Sequence, residues 1–172
     1  MDVTTTGPLS RSAHLVRRFF ASIWPGGPPA SSENWVLDSL LAGEADLWRR
    51  MSGPDRRHAV SVARRVDDRL GGADRPVLAA ALLHDVGKVA SGLGTLVRVL
   101  ATLAGMVGGD RVRFSDGRIG RYLRHPQIGA DLLDAAGSDE LTVAWAAQHH
   151  LPAERWTVDQ AIAEALHAAD DD

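Results

Sequence analysis

The 172-residue chain has no cysteine. Disulfides and thiolate metal sites are thereby excluded, and any metal it binds must take nitrogen and oxygen ligands. Lysine is almost as scarce, since Lys88 is the only one among 19 basic residues. No apolar stretch approaches the roughly 20 residues that span a bilayer, and no segment alternates as a half-buried strand does. Internal repeats and low-complexity runs are lacking as well. The net charge is only −3, with a pI near 6.1, which argues against indiscriminate binding to nucleic acid or anionic membranes. Met1 to Thr6 lacks the basic start and apolar core of a secretory signal. These absences together give the expectation of a cytoplasmic protein without a membrane partner.

Hydrophobic residues make up 45% of the chain and charged residues 24%, ordinary values for a globular protein long enough to build a real core. The break at Pro25-Gly-Gly-Pro-Pro29 divides the sequence. Residues 1–30 are expected to form an N-terminal helix and a Pro/Gly linker, with Ser10 as cap, Val16, Phe19, Phe20 and Ile23 on one face, and Arg11, Arg17 and Arg18 among them. Residues 31–172 are expected to form a single helical domain. Ser31 and Ser32 open one helix, and a short one surrounds Leu47, Trp48 and Met51. Ser52-Gly53-Pro54 starts a helix carrying Ala59, Val62, Ala63, Val66 and Leu70 on one arc, with His58 at its edge, and Gly71-Gly72 ends it. Thr95 to Leu103 predicts a further helix, followed by an arginine-rich loop from Arg111 to Arg124. Pro126 begins a helix closed by Gly137, and Ser138 starts the next, which runs into His149-His150. Thr157 and Gln160 predict a capping box for the final helix, whose Ile162, Leu166 and Asp170 step by four along one face. The fold class is all-α.

The centre of the pattern is His84-Asp85-Val-Gly-Lys88. It follows Pro76-Val-Leu-Ala-Ala-Ala-Leu-Leu83, a run without a polar side chain that reads as a buried helix. An ionised carboxylate in apolar surroundings must be paired, protonated or bound to a metal. His84 and Asp85 therefore need a partner, and Gly87 suggests a helix C-terminus. His58, His125, His149, His150 and Asp170 likewise stand at helix ends or on apolar faces. Gathered in a bundle, such neutral imidazoles and carboxylates make a metal site by composition.

In order, His58, His84-Asp85 and Asp170 resemble the H…HD…D signature of the HD-domain superfamily of metal-dependent phosphohydrolases. The likeness covers roughly Leu47 to Asp170. Asp55-Arg-Arg-His58, His84-Asp-Val-Gly-Lys88, His125-Pro-Gln-Ile-Gly-Ala130, His149-His150 and Ala168-Ala-Asp170 are closest in texture to the HD-GYP branch of cyclic-dinucleotide phosphodiesterases. The sequence departs from that branch after His150, because Leu151-Pro-Ala-Glu-Arg-Trp156 carries no Gly-Tyr-Pro. His14 and His167 match no motif.

The resemblance implies a single-domain bundle of the HD-domain type holding one or two divalent metal ions. Mn, Fe, Mg, Co, Ni and Zn all suit nitrogen and oxygen ligands. It implies His58, His84, Asp85 and Asp170 as ligands of a first ion. Asp85 would bridge to a second, held by His125, His149 and His150. It further implies catalytic roles for Asp85 and, through charge stabilisation at the rim, for Lys88. The expected reaction is hydrolysis of a nucleotide or related phosphoester, a small-molecule partner, with nucleic acid ranked behind it. A metal-binding regulatory module with little turnover is the competing reading. Arg111, Arg113, Arg118, Arg121 and Arg124 are either phosphate binders or a solvated loop.

Overall fold

A computed structural model describes residues 26–171. The N-terminal helix expected before Pro25, and His14 with it, lie outside these residues. Among the described residues there are helices and no strand: α1 (Ala30–Ser39), α2 (Ala42–Arg50), α3 (Gly53–Leu70), α4 (Arg75–Leu83), a 3₁₀ turn (Val86–Ala90), α5 (Thr95–Arg113), α6 (Arg118–Leu123), α7 (His125–Ala135), α8 (Glu140–Gln148), a second 3₁₀ turn (Ala153–Arg155) and α9 (Gln160–Asp171). The fold is all-α, as the sequence predicts.

Local signals set many of the boundaries. The Ser52 hydroxyl accepts from the Asp55 N–H at the start of α3, and Gly71, at φ 67°, closes that helix in the left-handed conformation that glycine tolerates. Asp139 caps α8 by accepting from the Leu141 N–H. At α9 the expected capping box does not form. Asp159 Oδ1 instead accepts from the N–H groups of Ala161 and Ile162, while Thr157 exchanges hydrogen bonds with the side chain of Gln148. An aspartate directly before the first turn outcompetes a threonine that has a partner elsewhere.

The centre of the bundle is α4. Val77 and every residue from Ala79 to Leu83 are buried, and Leu82 and Leu83 are wholly enclosed. Each such leucine contributes about 1.5–3 kcal/mol relative to an exposed one. The three alanines Ala79, Ala80 and Ala81 let neighbouring helices approach closely. Helix α4 packs against α3 and α8, α8 against α7, and α9 against α3. Trp48, Val66, Leu133, Trp145 and Leu166 fill the space between them.

Gly87 does not end α4. The helix stops at Leu83, and Gly87 lies within the 3₁₀ turn. Its requirement is space, because a Cβ there would stand 2.0 Å from the His125 carbonyl oxygen and 2.6 Å from the Gly129 nitrogen. The absent side chain lets the 3₁₀ turn lie directly on the backbone of α7. The segment from Arg111 to Arg124, expected as a loop, is also largely helical: α5 continues to Arg113 across a kink at Gly109 (φ 53°), and α6 follows.

Candidate metal centre

Every candidate ligand stands near an end of its helix, and the packing brings those ends together. His58 lies one turn into α3, and Asp170 in the last turn of α9. His84 caps α4, with Asp85 next to it; His125 opens α7; His149 caps α8, and His150 follows. His84, Asp85, His125 and His149 are buried, whereas His150 reaches the surface.

Three imidazoles are oriented the same way. Nδ1 of His84, His125 and His149 lies 2.9, 2.7 and 2.9 Å from the carbonyl oxygen three residues earlier, those of Ala81, Tyr122 and Ala146. A carbonyl only accepts, so each Nδ1 carries the proton and donates it. The remaining nitrogen, Nε2, is the one left for the interior, and wherever the ring is neutral it offers its lone pair there, the arrangement in which a histidine binds a metal.

Asp85 is the hub. Its Oδ2 accepts from Lys88 Nζ and stands 3.5 Å from His84 Nε2. Its Oδ1 faces His125 Nε2 at 3.3 Å and His149 Nε2 at 3.8 Å. Asp170 Oδ1 lies 2.8 Å from His58 Nε2 and 3.6 Å from His84 Nε2. Two sets of donor atoms could therefore hold a cation: Asp85, His125, His149 and His150 form one, and His58, His84 and Asp85 the other. Asp85 belongs to both.

Burial acts on Asp85, Asp170, His84, His149 and His150, and at the first three neighbouring charge overrides it. For Asp85, burial favours the protonated acid, but the charges of Lys88 and His84 hold it well below the usual carboxylate range. Burial opposes ionisation of Asp170 too, yet the bond from His58 and the charge of His84 keep it ionised. His84 is pushed down by burial and lifted further by Asp85 and Asp170, reaching about 9. Burial and the neighbouring histidines lower His149 to about 3 and His150 to about 4, so both stay neutral, the form that binds metals.

The donor set fits a divalent metal. His84 Nε2, Asp85 Oδ1, His125 Nε2 and His149 Nε2 are buried without a hydrogen-bond partner. One such atom costs about 1–3 kcal/mol if it stays unsatisfied, and these four are shared between the two donor sets that meet at Asp85. A model of the HD domain matches residues 57–171, more than half of the chain. The chain belongs to the HD-domain family. No curated protein and no solved structure matches it.

HD domains are typically metal-dependent hydrolases, and the His/Asp groups of this one could hold a metal ion. Around the centre, two features were not evident in the HD motif. Arg98 holds Asp55 through two hydrogen bonds of 2.6 and 2.9 Å, tying α5 to the start of α3. A cleft of about 460 Å³ opens beside His149, His150 and Asp170, and His167 lines it as well. The shared face of His167 and Asp170, three residues apart on α9, was the available signal.

The arginines have other partners. Arg118 donates to the carbonyls of Ser91 and Gly92, Arg121 to those of Ala90 and Asp116, and Arg124 to those of Arg113 and Ser115. These three brace the segments on either side of α5, while Arg111 and Arg113 are exposed in its last turn. Lys88 is not a free cation at the rim, since its ammonium is bonded to Asp85 and its side chain is only 18% exposed. Among the described residues no helix is long and apolar enough to cross a membrane.

Proposed function

We propose that this HD domain hydrolyses a nucleotide or related small phosphoester with the help of one or two divalent cations. The observation that carries the reading is the gathering of three buried, partnerless imidazole nitrogens, those of His84, His125 and His149, around the Asp85 carboxylate, whose two oxygens face different histidine sets. A protein that only folded around these groups would pair them with one another.

His58, His84, Asp85 and Asp170 would hold the first ion, and Asp85, His125, His149 and His150 the second. Bound divalent cations supply a nucleophile from water at neutral pH and offset the charge on phosphate oxygens. The residues contribute orientation. The carbonyls of Ala81, Tyr122 and Ala146 fix three imidazoles before any ligand arrives, so little ordering is left to be done on binding. Burial keeps His149 and His150 unprotonated. Lys88 balances Asp85 in the metal-free chain and stands ready to donate to a phosphoryl oxygen when the carboxylate turns to a cation.

The test is elemental analysis of the purified protein combined with a screen of phosphoesters in several divalent metals. Bound transition metal and hydrolysis that chelation abolishes are expected. Undiminished hydrolysis in metal-free protein would refute the mechanism. Bound metal without turnover on any phosphoester would favour a regulatory or binding module instead.

A further inference from the structure

The cleft beside the metal centre contains more than the candidate ligands. His149, His150 and Asp170 line it, and so do His167 and Asp171, to which the hydrolase reading gives no task. Among the described residues, His167 is the histidine that belongs to neither potential metal group.

Its ring is held from two directions. His167 Nδ1 stands 3.2 Å from Asp171 Oδ2, one helical turn further along α9. Its ring also packs on Trp156, with 5.3 Å between centroids. Trp156 is itself fixed, because its Nε1 donates to the Leu151 carbonyl at 3.0 Å and its ring meets the buried Trp145 edge-on. A carboxylate facing Nδ1, here one that is 74% exposed, favours a proton on that nitrogen, and the ring it orients lines the cleft. The side chain is 41% exposed, so protons can reach it from water. A histidine oriented by a carboxylate at the edge of a reaction centre is the arrangement of a general acid.

We propose that the cleft receives the leaving group of the phosphoester, and that His167, oriented by Asp171, gives the leaving oxygen its proton. The proposal rests on the hydrolase reading above. As water oxygen bonds to phosphorus and sheds a proton to solvent, the ester P–O bond breaks and its electron pair stays on the leaving oxygen. That oxygen takes the Nε2 proton of a His167 ring that enters the step as imidazolium, with its other proton on Nδ1 towards Asp171. An alcohol departs, phosphate remains, and the neutral His167 recovers a proton from water at its exposed edge. Such help matters for an alkoxide, a poor leaving group. It matters little for a nitrophenolate, which departs without a proton.

The test compares metal-loaded wild type with His167→Gln and Asp171→Asn on an alkyl and a nitrophenyl ester of the phosphoester class that turns over. For monoesters these are glycerol 2-phosphate and p-nitrophenyl phosphate. The ratio of kcat/KM for the alkyl ester to that for the nitrophenyl ester should fall about 10²-fold or more in His167→Gln, the usual contribution of a general acid. A smaller fall of the same kind is expected in Asp171→Asn, with metal content and melting temperature retained in both. An equal loss on the two esters would mark a structural role and overturn the proposal while leaving the hydrolase reading intact, as would unchanged kinetics. A wild type that hydrolyses no phosphoester overturns the hydrolase reading and this proposal together.

Discussion

Replacing Asp85 by asparagine removes one negative charge and almost no volume, so it isolates the electrostatics of the centre. The Asp85 side chain is 7% exposed and that of Lys88 18%, and the two are bonded. Neutralising the carboxylate leaves a largely enclosed ammonium without a counter-charge, a change that costs about 3–5 kcal/mol in buried pairs. Lys88 can carry part of its charge towards water along its flexible stem, which places the expected loss at the low end, about 3 kcal/mol. A domain of this size loses roughly 2–4 °C of melting temperature per kcal/mol, so the metal-free variant should melt about 6–12 °C below the metal-free wild type. Thermal melting followed by circular dichroism, with chelator present throughout, measures this directly. The double variant Asp85→Asn/Lys88→Met removes both charges and should regain most of the loss, because replacing both members of a buried pair is far milder than breaking it. Equal melting of Asp85→Asn and wild type would refute the burial and pairing described here. A double variant as unstable as the single one would assign the loss to packing rather than charge.

The metal-free protein should be most stable near pH 6.5. His84 titrates at about 9 when folded, above its ordinary value, so its contribution is complete below about pH 6.5 and is lost as pH rises towards 9. His149 and His150, held neutral down to about 3 and about 4, destabilise the fold as pH falls below about 6.5, where the unfolded chain takes up protons that the folded one refuses. Melting temperature against pH checks both limbs, and a flat profile between neutral and pH 9 would contradict the first. Gly87→Ala should cost about 1–3 kcal/mol or more and lower metal content, since its Cβ would drive the 3₁₀ turn away from the His125 backbone; unchanged stability and metal stoichiometry would show that the two backbones do not meet. Lys88→Met should keep its metals but lose roughly 10²–10³ in kcat if the ammonium stabilises charge that grows on the phosphoryl group. Steady-state kinetics of that variant decide the point, and an unchanged kcat removes Lys88 from the reaction.

The sequence by itself determined the helical class, many helix ends and the HD-family signature. Those signals are local or purely chemical. Ser52 and Gly71 act on their own helix, and the run from Pro76 to Leu83 must be buried whatever surrounds it. A His-Asp pair at the end of such a run needs a partner for the same reason. Even the tautomers of His84, His125 and His149 follow from contacts only three residues long. Tertiary structure alone decided what depends on distant backbone. His58 meets Asp170 across 112 positions of sequence. Gly87 reads as a helix stop until the His125 carbonyl appears where its Cβ would be. Arg118 and Arg121 read as phosphate binders or as part of a solvated loop until carbonyls 27 and 31 positions away take their guanidinium groups. His167 carries no motif, and only its place on the cleft and its contact with Trp156 distinguish it from an ordinary surface histidine. A side chain's chemical type can be read from its letter, but its partner is set by whichever part of the chain folds against it.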